Sequence, residues 1–357
     1  MRFLGIESSC DETAAAVVDN GRVPLSNVIQ SQVDIHKMYG GVVPEVAARS
    51  HIEVILPVID EAMKKAHSTW NDIDAIAVSY APGLVGSLLI GVTTAKTLAL
   101  LKNKPLYPVH HVLGHVYANF LLPTPPPFPI LALIVSGLHS QLVLFYDHDS
   151  YELLGQTQDD AVGEAFDKVA RMLGLPYPGG PSIAKAAAAG DPFAFKLPKA
   201  RVAGDYDFSF SGLKTAVLRT LQASIGEDYS FPSHQLPTRL DEATKHNMAA
   251  SFQHTAIETL VDKTEKAFQA YSPASVVIAG GVAANQELRL QLSKRLPISI
   301  DYPDVSLCTD NAAMIATLGF YHSQRHPATN PHLVEAAPSL SMYLNPKTPH
   351  LVAKQDS

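Results

Sequence analysis

Short apolar runs alternate with polar turns at the start of this chain. Phe3–Glu7 and Ala14–Asp19 are strand-like and flank the polar stretch Ser8-Ser9-Cys10-Asp11-Glu12-Thr13. Asn20-Gly21 signals a tight turn before a third strand near Ser26–Gln32. The period then lengthens. Val43–Lys65 has helical spacing, with Pro44 tolerated in its first turn. Asp74–Tyr80 is strand-like, and Ala81-Pro82-Gly83-Leu84-Val85-Gly86 turns into an apolar helix over Ser87–Lys102. A strand at Leu106–His110 leads into a helix over His111–Leu121.

Pro123, Pro125, Pro126, Pro127 and Pro129 crowd one segment, a natural connection. Beyond it the pattern restarts with strands at Ile130–Ser136, Gln141–Tyr146 and Tyr151–Thr157. Helices are predicted over Ala161–Leu173, Leu213–Ser224, Glu242–Ala270, Ala283–Arg295 and Thr309–His322, with a strand at Ser275–Ala279. Ile225–Thr238 reads as a loop, and the proline-rich tail beyond His326 as irregular. Two blocks that each open with strands and continue with helices predict an α/β fold of two lobes, 1–129 and 130–326, with a tail at 327–357.

Composition narrows the class. The chain has 357 residues, of which 46% are hydrophobic and 17% charged, enough apolar material for a sizeable core. A net charge of -7 gives no global attraction for a polyanion, so nucleic-acid contact requires a local patch or a partner. Lys196, Lys199, Arg201 and Lys214 are the candidates for such a patch, with a solvated loop as the plain alternative. Only Cys10 and Cys308 are present, which fits a reducing compartment. The N-terminus enters a strand-like run without a leader pattern, and the apolar stretch Leu84–Leu101 is broken by Gly and Thr, so a cytoplasmic protein is expected. That stretch is either a core helix or a partner-facing one.

Candidate chemistry lies at the element ends. His111 and His115 stand at i and i+4, which puts two imidazoles on one helix face where both reach one metal. Fifteen histidines produce roughly 0.6 such pairs by chance, and His322 with His326 forms a second pair in a polar segment. Thr309 is placed as a helix N-cap with Asp310 as the first-turn acid, where the helix dipole favours the ionised carboxylate. Ser136-Gly137-Leu138 and Gly280-Gly281-Val282 each follow a strand and offer backbone N–H groups to an anion. Asp159, Asp160 and Glu164 open a helix, with Asp167 one turn on. Tyr177-Pro178-Gly179-Gly180-Pro181 reads as a rigid loop where backbone can approach a ligand. No Gly-x-Ser-x-Gly elbow, Walker loop or zinc-ribbon pattern occurs.

Together these segments resemble one family. Gly5-Ile6-Glu7-Ser8-Ser9-Cys10-Asp11-Glu12-Thr13, Gly40-Gly41-Val42-Val43-Pro44-Glu45, Pro82-Gly83-Leu84, His110-His111, Gly163-Glu164-Ala165-Phe166-Asp167, Tyr177-Pro178-Gly179-Gly180-Pro181, Asp207-Phe208-Ser209-Phe210-Ser211-Gly212-Leu213-Lys214 and Gly280-Gly281-Val282-Ala283-Ala284-Asn285 occur in order. They are similar to the bacterial-type tRNA N6-adenosine threonylcarbamoyltransferases, once called sialoglycoproteases, from about Met1 to His322. The resemblance implies an actin-like fold of the sugar-kinase and Hsp70 type with an interlobe active site. It implies one divalent metal ion, iron ahead of zinc, on His111, His115 and Asp310. It implies threonylcarbamoyl-AMP bound along Ile134, Val135, Ser136, Gly137 and Leu138, with Asp167, Gly180 and Asn285 beside it. The implied acceptor is the adenosine next to the anticodon in tRNAs reading codons that begin with A. The implied partners are a non-catalytic paralogue and a small P-loop ATPase, with a separate enzyme making the adenylate.

Asp11 and Glu12 are the candidate catalytic carboxylates. Four positions depart from the family's usual residues: Leu113, Leu138, Ser140 and Ala312. Leu138 is expected to narrow the ligand turn or change its backbone angle. Three other readings stand beside this one. A kinase or ATPase of the same superfamily is disfavoured by Glu7-Ser8-Ser9-Cys10 where an Asp-x-Gly-x-Thr turn is needed. A metal-dependent hydrolase fits the same ligands. A scaffold paralogue has no chemical reason to keep His111, His115 and Asp310.

Overall fold

The computed structural model describes residues 1–200 and 202–342. Contacts divide them into two units. The first comprises 1–127, 145–152 and 301–342, the second 128–144 and 153–300. This division is not the linear one at 129/130 and 326/327. The chain returns to its first unit after 300, because the last long helix packs on the first strand.

Unit one holds strands β1 (Arg2–Glu7), β2 (Glu12–Asp19) and β3 (Val23–Ser31), a short helix α1 (Val33–Lys37) and helix α2 (Pro44–Lys65). Strand β4 (Ala75–Ala81), helix α3 (Val85–Leu101), strand β5 (Leu106–His110) and helix α4 (His111–Tyr117) follow. Its sheet order is β3-β2-β1-β4-β5, with β1, β4 and β5 parallel and β1–β2–β3 antiparallel.

Burial on both faces explains the near-continuous apolar run of β1. Leu4 and Ile6 point to one face and pack with Ile55 and Ile59 of α2 and Val92 and Ala95 of α3. Phe3 and Gly5 point to the other. There a side chain on Gly5 would meet the Ala312 carbonyl at 2.2 Å, so the helix beginning at Ala312 lies directly on the strand.

The middle of the chain forms strands β6 (Ile130–Val135), β7 (Ser140–Phe145) and β8 (Tyr151–Gln156). Helices α5 (Val162–Leu173), α6 (Gly179–Ala187), α7 (Ser211–Ser224) and α8 (Glu242–Tyr271) follow, then strand β9 (Ser275–Ala279) and helix α9 (Gln286–Arg295). The second sheet runs β8-β7-β6-β9, with β6 and β9 parallel and Ile134 opposite Ala279. The chain then forms helices α10 (Val305–Cys308) and α11 (Ala312–Ser323).

Helices α1 and α6 were not foreseen. The first has only five residues, too short for a readable period. In the second, Gly179 and Gly180 form the opening turn instead of a loop, after Pro178 at the N-cap. The segment read as a loop at 225–238 ends in a 3-10 helix, Ser233–Thr238. Of the tail, 343–357 lies outside the described residues, and among those described it holds a 3-10 turn at Pro331–Leu333. No helix among the described residues is long and apolar enough to cross a membrane.

The region around the turn after β1 is polar but buried. His51 of α2 donates from Nε2 to the Cys10 carbonyl (2.9 Å), so its Nδ1 accepts from Thr13 Oγ1 (2.7 Å). Burial holds its imidazole below the ordinary value, against the pull of that carbonyl bond and of Glu7 and Asp11. The unfolded chain therefore binds this proton more readily. The stability tied to neutral His51 is complete above the ordinary histidine value of ~6.5 and is lost as pH falls below it. Urea melts at about pH 7.5 and about pH 5.5 should show a loss on acidification that is smaller in His51→Gln. An identical loss in both proteins would rule His51 out as its source.

Candidate metal centre and ligand turns

Parallel pairing of β1, β4 and β5 brings the carboxyl ends of β1 and β5 to the same edge of the sheet, two strands apart and so ~10 Å. Glu7 closes β1 and His111 opens α4 immediately after β5. The start of α11 reaches the same edge. His111, His115 and Asp310 consequently converge, with one donor atom from each inside a 4.8 Å span.

Asp310 Oδ1 lies 3.2 Å from His115 Nε2 and 3.6 Å from His111 Nε2, and the two rings stand nearly perpendicular, 4.7 Å apart. His115 is buried, yet neither of its ring nitrogens makes a hydrogen bond. Orphaned buried imidazole nitrogens are costly. Two imidazoles and a carboxylate are the donor set of a borderline divalent cation, so the residues present fit one.

Glu7 is the member that sequence reading missed. His111 Nδ1 donates to Glu7 Oε2 (3.0 Å) and lies 3.1 Å from Ser9 Oγ. A proton fixed on Nδ1 makes Nε2, which faces Asp310 at 3.6 Å, the nitrogen whose proton a metal would displace. This is the supporting carboxylate that metal-binding histidines commonly have. Burial pulls the His111 imidazole down, but the Glu7 and Asp310 carboxylates outweigh it and hold it up at about 9. Cation uptake competes with that proton and weakens as pH falls. Glu7→Gln removes the charge that orients the ring, and metal affinity should fall about 10- to 100-fold, read by chelator competition. Unchanged affinity would refute the role.

Asp310 is not in the first turn of a helix. Thr309 is the C-cap of α10, and the N-cap of α11 is Asn311, whose Oδ1 accepts from Met314 N (3.0 Å). Asn caps better than the preceding Thr where both compete. The dipole argument for Asp310 gives way to placement beside two histidines.

Asp11 is buried and Glu12 partly so, on the turn and strand beside this cluster. Burial, with Asp310 and Asp11 adding to it, pushes Glu12 far above the usual carboxylate range, while the Ser31 hydroxyl that donates to its Oε1 (3.1 Å) pulls the other way.

Unit two builds its ligand turns separately. At the carboxyl ends of β6 and β9, the usual ligand-binding edge of parallel sheets, the chain turns twice. Ser136 N donates to the His139 carbonyl (2.8 Å) and His139 N to Ser136 Oγ (3.2 Å), closing the 136–139 turn. Gly280 has φ +90°, and a side chain there would sit 2.5 Å from the Val135 carbonyl. A side chain on Gly163 would sit 2.5 Å from the Ser136 carbonyl, so α5 starts against the same turn. Val135–Gly137, Gly163 and Gly280 are thus brought together.

Asp167 fixes α6, its Oδ1 accepting from Gly179 N (2.7 Å), and Gly180 beside it faces open space. Asn285 is the N-cap of α9, and its Nδ2 donates to Gln253 Oε1 (3.0 Å). Asp159 takes Phe210 N (2.8 Å) and Ser209 Oγ, which ties the Asp207–Lys214 motif to the start of α5.

The departures find local roles. Leu138 is 62% exposed, so it faces solvent. Ser140 is buried, and its hydroxyl accepts from Val162 N (2.9 Å) at the start of α5. Ala312 is packed against Gly5. Leu113 is partly buried on α4. Of the basic candidates, Lys199 is paired with Glu258 and Asp262 and Lys214 with Asp160, Lys196 is exposed, and Arg201 lies outside the described residues.

A family model described as tRNA N6-adenosine threonylcarbamoyltransferase matches residues 24–317. The protein of that name from Thermomicrobium roseum is 52% identical over 338 residues, covering 91% of this chain and 93% of its own. The chain belongs to the tRNA N6-adenosine threonylcarbamoyltransferase family. The family member of that name from Bacillus subtilis is 51% identical over 324 residues, covering 89% of this chain and 90% of its own. Among solved structures, T. kodakarensis HypF superposes with TM-score 0.58 at 12% identity, covering 90% of this chain and 48% of that one. That likeness concerns the fold alone, and it bears out the actin-like α/β class expected of the family.

Proposed function

We propose that this chain transfers the threonylcarbamoyl group from threonylcarbamoyl-AMP to N6 of the adenosine next to the anticodon in tRNAs that read codons beginning with A. The observation that carries it is the convergence of His111, His115 and Asp310 in a chain about half identical to named threonylcarbamoyltransferases. These three residues would hold one divalent cation, iron ahead of zinc, which supplies Lewis-acid polarisation of a carbonyl or carboxylate oxygen.

The chain's own groups supply the rest. Glu7 and Ser9 orient His111. Backbone N–H groups of the turns after β6 and β9, at Ile134–Leu138 and Gly280–Ala284, suit the phosphate of the leaving AMP. Asp167, which sets the Gly179–Gly180 turn, and Asn285, which caps α9, would line the ligand in this reading. The N6 amine attacks the activated carbonyl carbon, the carbon–oxygen bond to phosphate breaks, and the N6 proton passes to Asp11, the member of the Asp11–Glu12 pair whose partner already holds a proton. Positioning and charge stabilisation suffice, with no covalent enzyme intermediate.

The reading includes a cytoplasmic location, a small P-loop ATPase and a non-catalytic paralogue. Exposed Val85 and Leu89 on α3, together with Ile52 and Leu56 on the adjoining α2, are the surface on which the paralogue would dock.

The test is incubation of metal-loaded protein and these partners with threonylcarbamoyl-AMP and unmodified tRNA. Mass spectrometry of digested tRNA should show the modified adenosine. Folded, partner-bound protein that yields none would overturn the proposal.

A further inference from the structure

Two other histidines repeat the spacing of the first pair. His322 lies in α11 and His326 just beyond its end, and the turn between them stays helical, with His326 N donating to the His322 carbonyl (2.9 Å). Their rings stack 4.3 Å apart at 27°. Asp149 completes the set. Its Oδ1 is 3.2 Å from His326 Nε2, the separation found between Asp310 and His115, and one donor atom of each of the three lies within a 4.8 Å span.

From these contacts we infer a second divalent transition-metal site, of zinc-like chemistry, at Asp149, His322 and His326. It is independent of the proposed catalytic centre.

The surroundings prepare these donors. Asp147 Oδ1 accepts from Asp149 N (2.8 Å) and Ser150 N (3.0 Å), which folds the 147–150 turn. His148 stacks on Tyr321 at 4.3 Å, so the turn is clamped to α11 on the residue before His322. Arg325 Nη1 reaches Asp147 Oδ1 (3.2 Å) and Asp149 Oδ2 (3.4 Å), leaving Asp149 Oδ1 directed at His326. Two carboxylates and one guanidinium leave one net negative charge beside the two imidazole rings, which favours a cation.

An ion pair between Asp149 and a protonated His326 is the competing account. It uses one histidine only, whereas a metal engages both rings of the stacked pair, His322 packing edge-on against Tyr107 (6.3 Å) on its other side. Protonating both would place two like charges face to face, whereas a metal takes both rings neutral. All three donors are partly exposed, so the remaining coordination positions are open to water and the ion is exchangeable. The ion would tie the 147–150 turn to the end of α11, the helix that follows Asp310.

The test uses untagged full-length chain, stripped with chelator and reloaded with zinc. Metal content should be about two equivalents in the parent and about one in His326→Gln and in Asp149→Asn. The double variant His111→Ala/His115→Ala should keep about one, which disappears when His326→Gln is added. Cobalt loading of the double variant should give a visible absorption band that the added His326→Gln abolishes. Transfer activity of His326→Gln should equal the parent's. The inference is overturned if the double variant takes up no zinc, or if both single variants hold as much zinc as the parent. The double variant reads this site alone, so failure of the proposed catalytic centre leaves the result intact.

Discussion

His115→Ala should lose its bound metal and at least about 10³-fold in the rate of adenosine modification, while its melting curve stays cooperative. His115 is 2% exposed, and both ring nitrogens are without hydrogen bonds. Its removal therefore breaks no hydrogen bond of the fold, which is unusual for so buried a polar residue. The cavity left by the ring costs some stability. Loss of one of three protein ligands removes the cation, and the several kcal/mol that it contributes to charge stabilisation go with it. Metal analysis, the nucleoside assay and circular dichroism on the same preparation decide the matter. Full activity in metal-free His115→Ala would refute the assignment, as would normal metal content.

Gly280→Ala should behave in the opposite way, keeping its metal and losing its nucleotide. At φ +90° an L side chain is strained, by about 1–3 kcal/mol. The new Cβ would also press on the Val135 carbonyl at 2.5 Å. That carbonyl belongs to backbone at the end of β6, so the turn itself must move. Affinity for AMP should drop about 10- to 100-fold by calorimetry. The metal content should not change, since His111, His115 and Asp310 belong to the other unit. Unaltered AMP binding would remove the 135–137 and 280–284 turns from the proposed ligand site.

Much of this was readable one segment at a time. The apolar run of β1, the period of α2 and the i, i+4 spacing of His111 and His115 are properties of neighbouring residues. The chain geometry of a strand or helix fixes them whatever else the molecule does. The glycine turns after β6 and β9 were legible for the same reason. Spacing could not single out which histidine pair mattered, since His322 and His326 have the same spacing as His111 and His115. Motif order pointed to the first pair and to Asp310, and the fold then brought these three together.

Other features were hidden because they depend on partners far away in sequence. Glu7 reads as the polar end of a strand. It supports His111 only because β4 lies between β1 and β5 in a parallel sheet, 104 positions of chain being closed by one hydrogen bond. Ser140 departs from the family's usual residue, and only the fold shows its hydroxyl accepting from the backbone at the start of α5. Leu138 looked like an obstruction until the turn was seen to point it to solvent. Lys199 and Lys214 looked like a basic patch until carboxylates were found beside them. By itself the sequence determined the longer elements, the family motifs and the donor types, because periodicity and turn chemistry are local. The tertiary structure decided which donors share one site and which charges are already paired, because those follow from strand order and from the return of α11 to the first sheet.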